Sequence, residues 1–381
     1  MQTSNVSTPI DVNTATIFVA LELSQKTWLV TMHSPDRDRI STHKLTGGDH
    51  VGLLALIERS RTRAERALGC RPAVVSCYEA GYDGFWLHRL LGAAGITNYV
   101  FDPASIAVEQ RGRRAKTDRI DNEQNLRTLM AYCRGEPRVV RIVRVPSLEQ
   151  EDARRDTREQ ERLKIEQGAH STRIKALLRL KGLPVGNPLR SDWLTWLAKQ
   201  RDRDGQPVPP RLLAEIEREH ERLMLVSKQL AALETQAKPV TPAAREMARR
   251  RDHLMRLKSL GPIFSSRLVN EVFYKDFRNR REVGSYFGLC GSPWRSGNID
   301  REQGISKAGN RRARHAAVEL AWLWLRHQPD SAISKWFRER TANGNKRFKR
   351  IAIVAVARKL MVALWRYVAD GLIPEGAVFK A

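Results

Sequence analysis

The sequence predicts an α/β domain at the N-terminus that gives way to a mostly helical, strongly basic remainder. Three observations lead there. Apolar runs of strand length, TIFVALEL (16–23), TWLVTMH (27–33) and AVVSCYE (73–79), crowd the first hundred residues and alternate with helical stretches. Beyond residue 146, long charged segments with apolar positions three and four apart replace them. The charge changes too: residues 1–140 carry 18 Lys and Arg against 15 Asp and Glu, residues 141–240 carry 20 against 15, and residues 241–381 carry 29 against 12.

These numbers exclude several classes. A chain of 381 residues with 41% hydrophobic residues and nine Trp has material for real cores and is not disordered, despite a net charge of +25. Such a charge attracts polyanions, nucleic acid first among them. MQTSNVSTPIDVNTAT lacks the basic and apolar regions of a signal peptide. The apolar stretch IAIVAVARKLMVALW (351–365) is interrupted by Arg358 and Lys359, which argues against a membrane span. Cys70, Cys77, Cys133 and Cys290 form no CxxC pair, so neither a disulfide framework nor a zinc site is expected, and a cytoplasmic location fits.

Taken in order, the first run is continuous enough for a strand buried on both faces, and TWLVTMH and RISTHKL (39–45) complete an antiparallel meander across the turn signal SPDRD. A helix follows over 49–68 with Asp49 as N-cap. AVVSCYE is the fourth strand, 83–95 the second helix, TNYVFDP (97–103) the fifth strand, and 118–133 the third helix. The order is βββαβαβα. Glu22 closes five apolar residues of the first strand, where a bare carboxylate is costly to bury unless a cation or donors meet it. Glu79 ends the fourth strand, beside the first if the two pair in parallel. Asp118 and Asp121 stand three apart in KTDRID (116–121), on one side of a helix. Two strand acids and a helical pair suit two divalent ions about 4 Å apart, an arrangement for phosphoryl transfer. Taken singly, Glu79 and Asp121 also suit solvated element ends, and Asp118 a helix cap.

The middle third, PSLEQEDARRDTREQERLKIEQGAHSTRIKALLRLKGLP (146–184), is highly charged and separated by the loop RDRDGQPVPP from a second helix. That helix carries an apolar seam at Ile216, Leu223, Val226, Leu230, Leu233 and Ala237, broken by Glu219. The spacing predicts a helical hairpin or short coiled coil, for packing or dimer formation. In the last third, LMRLKSLGPIFSSRLVNEV (254–272) sets Gly-Pro between two helical pieces, as in a helix–hairpin–helix that holds a backbone phosphate. Ser296 follows Arg295 and precedes Gly297 in a polar, Gly-rich stretch, as an exposed nucleophile near phosphate would; Ser-Gly is equally an ordinary turn. Lys307, Arg311, Arg312 and Arg314 form a cluster suited to phosphate contacts, and KRFKR (346–350) adds another.

Read together, LELSQKTW (21–28), CYEAGYDGFWLHRLL (77–91), KTDRID, LKSLGPIFSSRL (257–268) and YFGLCGSPWRSG…GISKAGNRRAR (286–314) resemble the DEDD-type insertion-sequence transposases of the IS-one-ten family, the bridge-RNA-guided recombinases. The resemblance implies a RuvC-like RNase H fold over 1–143, a helical coiled-coil region over 144–240 and a basic helical domain with the serine over 241–381. It further implies that Glu22, Glu79, Asp118 and Asp121 hold Mg²⁺, one or two ions, and that Ser296 attacks the phosphodiester to form a covalent intermediate. A non-coding bridge RNA would choose double-stranded DNA partners, and a dimer or tetramer would bring the serine of one subunit to the acids of another. Glu22 stands where the family usually has Asp; its extra methylene moves the oxygens by about an ångström. Two other readings stay open on residues alone: a RuvC-type metal-dependent endonuclease resembling a Holliday junction resolvase, in which water attacks, and a catalytically impaired nucleic-acid-binding relic.

Overall fold

The computed structural model describes the backbone of residues 15–106, 118–234, 242–296 and 299–380, and the side chains in those ranges except those of 234, 243, 296 and 299. The chain divides into two compact units, Met1–Val145 and Pro146–Ala381.

In the first unit the elements run β1 (Thr16–Glu22), β2 (Thr27–His33), β3 (Ser41–Thr46), α1 (His50–Leu68), β4 (Ala73–Glu79), α2 (Trp86–Ala93), β5 (Thr97–Phe101) and α3 (Asp118–Cys133). This is the predicted order. Asp49 caps α1 by accepting from the Gly52 amide at 2.8 Å. The second helix begins at Trp86, later than its sequence pattern, after a turn over residues 81–85. The strands form one mixed sheet ordered β3-β2-β1-β4-β5, antiparallel across β3-β2-β1 and parallel across β1-β4-β5. Residues 141–143 cover the outer edge of β5, where the Val143 amide donates to Val100 O at 2.7 Å and the Asp102 amide to Arg141 O at 2.9 Å. Covering that edge removes a template for unwanted strand pairing.

Alternation along the strands sends side chains to two faces. Ile17, Val19, Leu21, Val74 and Tyr78 pack with Leu53, Leu56, Leu87 and Leu91 of α1 and α2. Phe18, Ala20, Val75 and Cys77 face the other way, against Leu126 and Leu129 of α3. α3 is held there by polar contacts as well. Asn122, fully buried, donates through Nδ2 to Ala20 O (3.1 Å), Leu29 O (2.9 Å) and Thr31 Oγ1 (3.0 Å), bridging β1 and β2. Replacing it removes the buried amide that ties α3 to both strands and leaves a cavity, so Asn122→Ala is expected to cost the first unit about 2–3 kcal/mol, measured by urea denaturation.

In the second unit, α4 (Leu148–Leu180) opens on a capping box made by Ser147 and Gln150 and pairs with α6 (Pro210–Glu234). Ile174 and Leu178 meet Ile216 and Leu223, and Leu163 meets Val226 and Leu230, which is the predicted helical hairpin. Ala237, assigned to the same seam, lies outside the described residues. Glu219 does not break the seam as a solvated charge would: it is buried, accepts from Arg222 Nη1 at 2.8 Å and lies 2.7 Å from His170 Nδ1. Burial opposes its ionisation, yet His170, Arg222 and Arg173 hold its carboxyl below the usual range. Between these helices the short α5 (Trp193–Ala198) buries Trp193 and Leu197 in the end of the hairpin.

The remainder comprises α7 (Pro242–Met255), α8 (Pro262–Leu268), a π-helical turn (Val269–Phe273), α9 (Arg280–Tyr286), β6 (Gly291–Ser296), β7 (Ile299–Ile305), α10 (Arg311–His327), α11 (Ala332–Thr341) and α12 (Lys346–Asp370). Pro262 starts α8 after Gly261, so the Gly-Pro pair does join two helical pieces. Leu254, Leu257, Leu268, Phe273, Phe287, Leu320, Trp324, Val356, Leu360 and Leu364 form its core. Trp324 Nε1 donates to Ser331 Oγ at 2.9 Å, whereas Trp322 is about half exposed. Among the described residues no helix is long and apolar enough to cross a membrane.

Candidate functional site

The parallel register pairs Leu21 with Tyr78 and so sets Glu22 and Glu79 side by side where β1 and β4 end. Both fall on the face covered by α3, because they continue the alternation of Phe18 and Ala20 and of Val75 and Cys77. Neither is fully buried. Asp118 and Asp121 occupy the first turn of α3, where acids also favour the helix dipole. Each stands four residues before one of the two buried asparagines, so Asp118 shares a face with Asn122 and Asp121 with Asn125. Asn125 Nδ2 donates to Glu79 Oε1 at 2.9 Å, and the Cys77 thiol donates to Asn125 O at 3.7 Å. Burial pushes the Cys77 thiol well up, so it stays a neutral donor.

The structure thus puts all four acids at one end of the sheet, on one side. It does not close them into a cluster: among the described residues no three His, Cys, Asp or Glu side chains lie in a group that could hold a metal ion. The donor set itself is all hard oxygen, which suits Mg²⁺. Asn122 Oδ1 adds a buried amide oxygen that accepts no hydrogen bond, next to the β2 residue paired with Glu22. Asn122 and Asn125 were not singled out from sequence; two amides four residues past two acids on one helix were the available signal.

In the second unit the polar stretch around Ser296 is a β-hairpin. Its strands pair from Gly291 with Ile305 to Ser296 with Ile299, with a register shift near Pro293. Ser296 therefore ends the outgoing strand; its side chain and the neighbouring Gly297 lie outside the described residues. The base of the hairpin is closed by Ser306 N donating to Cys290 O (2.8 Å) and Lys307 N to Gly288 O (3.2 Å). Lys307 takes a left-handed backbone (φ 56°), with its side chain exposed. Gly309 (φ 143°) packs so closely that an added Cβ would lie 2.4 Å from Tyr286 O. Gly309→Ala is expected to destabilise this unit by about 3 kcal/mol or more, read as a lowered melting temperature.

Of the four cations proposed for nucleic acid, Arg311 is exposed at the start of α10. Arg312 reaches Glu161 of α4 at 3.6 Å and is half exposed. Arg314 has a structural duty: its Nη1 donates to Phe287 O (3.2 Å) and Lys307 O (3.0 Å), stapling the loop to α10.

A chain with this α/β unit and basic helical unit matches proteins that move DNA. A model of the transposase IS116/IS110/IS902 family matches residues 251–336, from the end of α7 through the hairpin into α11. A relative from Sinorhizobium fredii (strain NBRC 101917 / NGR234), named "Putative transposase y4rJ", is 44% identical over 383 residues, covering 98% of this chain and 97% of the relative. The protein is of the transposase class. It belongs to the IS116/IS110/IS902 family, as its KTDRID and GISKAGN motifs indicated.

Proposed function

We propose that this transposase cleaves and exchanges DNA strands with a serine nucleophile, Ser296, assisted by Mg²⁺ held by Glu22, Glu79, Asp118 and Asp121. The observation that carries the acid half is the placement of Glu22 beside Glu79 with the first turn of α3 on the same face. The strand order β3-β2-β1-β4-β5 with α3 packed on it supports reading the first unit as a RuvC-like RNase H fold. Bound Mg²⁺ would polarise the scissile phosphate and lower the pKa of the attacking hydroxyl.

The chain's own residues do the rest. Asn125 orients Glu79, and Asn122 keeps α3 seated on the end of the sheet. Ser296 Oγ forms a bond to phosphorus while one phosphorus–deoxyribose oxygen bond breaks; the serine proton leaves to a base and the released oxygen takes one up. Attack on the phosphoserine by a deoxyribose hydroxyl of a second strand then frees the serine and completes exchange. Lys307 and Arg311, both exposed near the hairpin base, would neutralise phosphate charge there. Sequence choice rests on a non-coding bridge RNA paired to DNA, and the working unit is a homo-oligomer, a dimer or a tetramer, in the cytoplasm. Incubating the purified protein with element-end DNA, Mg²⁺ and RNA transcribed from the flanking non-coding DNA tests this: strand exchange only with all three is the expected result. Exchange without RNA removes the guide from the scheme.

A further inference from the structure

The hairpin that carries Ser296 stands on two feet, and both are tied to one residue, Glu271: one to its buried carboxylate and the other to its main-chain oxygen. Tyr286 ends α9 just before β6, and Asn310 precedes α10 just after β7. Asn310 N donates to Tyr286 O at 2.8 Å, and Asn310 Nδ2 donates to the Tyr286 hydroxyl at 3.0 Å. Both side chains also reach Glu271, in the π-helical turn: Asn310 Nδ2 donates to Glu271 Oε2 at 3.3 Å and Tyr286 Oη to Glu271 O at 2.5 Å. The Asn310 amide is used at both ends, since its Oδ1 accepts from Ala313 N (3.1 Å) and caps α10.

Glu271 is 3% exposed and is itself gripped from outside. Arg158 of α4 donates to it with both arms of its fork, Nε to Oε1 at 2.7 Å and Nη2 to Oε2 at 3.2 Å. One turn earlier, Arg154 donates to Asn270 O at 3.0 Å while Asn270 Nδ2 donates to Ala153 O at 2.8 Å. Burial alone would neutralise Glu271, but Arg158 holds its carboxyl below the usual range, so the grip is ionic. A buried charge is costly, and a π-turn sacrifices regular helical bonding; such features are retained where geometry must be fixed. Ordinary packing of α4 on this unit would need neither.

We propose that Glu271 is a positioning residue for the serine hairpin, clamping both of its feet through Tyr286 and Asn310 and linking them through Arg158 to the helical hairpin of α4 and α6. The consequence for strand exchange rests on the serine reading above; the clamp does not.

Glu271→Gln keeps the shape and removes the charge. Tyr286→Phe removes one hydroxyl from a folded core and serves as the milder variant. Each is compared with wild type and with Ser296→Ala for strand exchange, binding of element-end DNA and amide hydrogen exchange by mass spectrometry. Expected is a tenfold or greater loss of strand exchange in both variants, DNA affinity within about twofold of wild type, and faster amide exchange confined to residues 286–310. Adding Arg158→Met to Glu271→Gln should cause little further loss. Wild-type strand exchange with unchanged protection of 286–310 in both variants overturns the proposal. So does faster exchange spread evenly through Pro146–Ala381 in both, which would make the cluster a general core contact. An active Ser296→Ala protein removes the serine reading, while protection of 286–310 still decides the clamp.

Discussion

Ser296→Ala is expected to abolish strand exchange, with a loss on the order of 10⁴-fold or more, because the proposed covalent bond to phosphorus requires its hydroxyl. The protein should melt normally, since Ser296 ends an edge strand of a two-stranded hairpin and the unit's core lies elsewhere. The decisive measurement is denaturing electrophoresis of reactions with end-labelled DNA. Wild type should give a protein-linked band and Ser296→Ala none. Hydrolysed DNA without any linked band, in both proteins, would transfer the attack to water and make the chain a metal-dependent endonuclease.

The second large effect is expected at Glu79. Glu79→Gln preserves volume and leaves an oxygen to accept from Asn125 Nδ2, now 2.9 Å away, so α3 should stay seated. What is lost is the charge with which, in the proposed scheme, Glu79 helps to bind Mg²⁺ near the phosphate. Removal of such a ligand is expected to reduce cleavage by about 10³-fold or more. The measurement is cleavage against Mg²⁺ concentration, with stabilisation by Mg²⁺ in a thermal melt as an activity-independent readout. A wild-type cleavage rate together with wild-type stabilisation would exclude Glu79 from the ion site.

The two ends of the chain differ in how legible they were. The strands of the first unit carry their signal in hydrophobic pattern, since each must bury apolar side chains on one or both faces, and Ala73–Glu79 was placed to the residue. The hairpin over 291–305 was missed for the opposite reason. GSPWRS and IDREQGI bury little, contain Pro293 and show no apolar face, so nothing in their pattern separates strand from loop. Glu219 was misjudged in the same way: a charge looks solvated until its partner, here His170, is brought up by another segment. The two carbonyls that Arg314 staples are likewise supplied by other segments, which no local pattern announces.

Local chemistry, then, was enough for the element order of the first unit, the acids at its strand ends, the helical pair Asp118 and Asp121, and the basic excess of the last third. These depend on neighbours a few residues apart, where periodicity and capping act. Tertiary structure alone decided that Glu22 and Glu79 stand side by side, through a parallel register between residues 57 apart in the chain. It alone placed Asn122 and Asn125 beneath the acids and gathered Arg158, Glu271, Tyr286 and Asn310 under the serine hairpin. Buried polar groups must find partners wherever the fold supplies them, and the distance along the chain to those partners obeys no period.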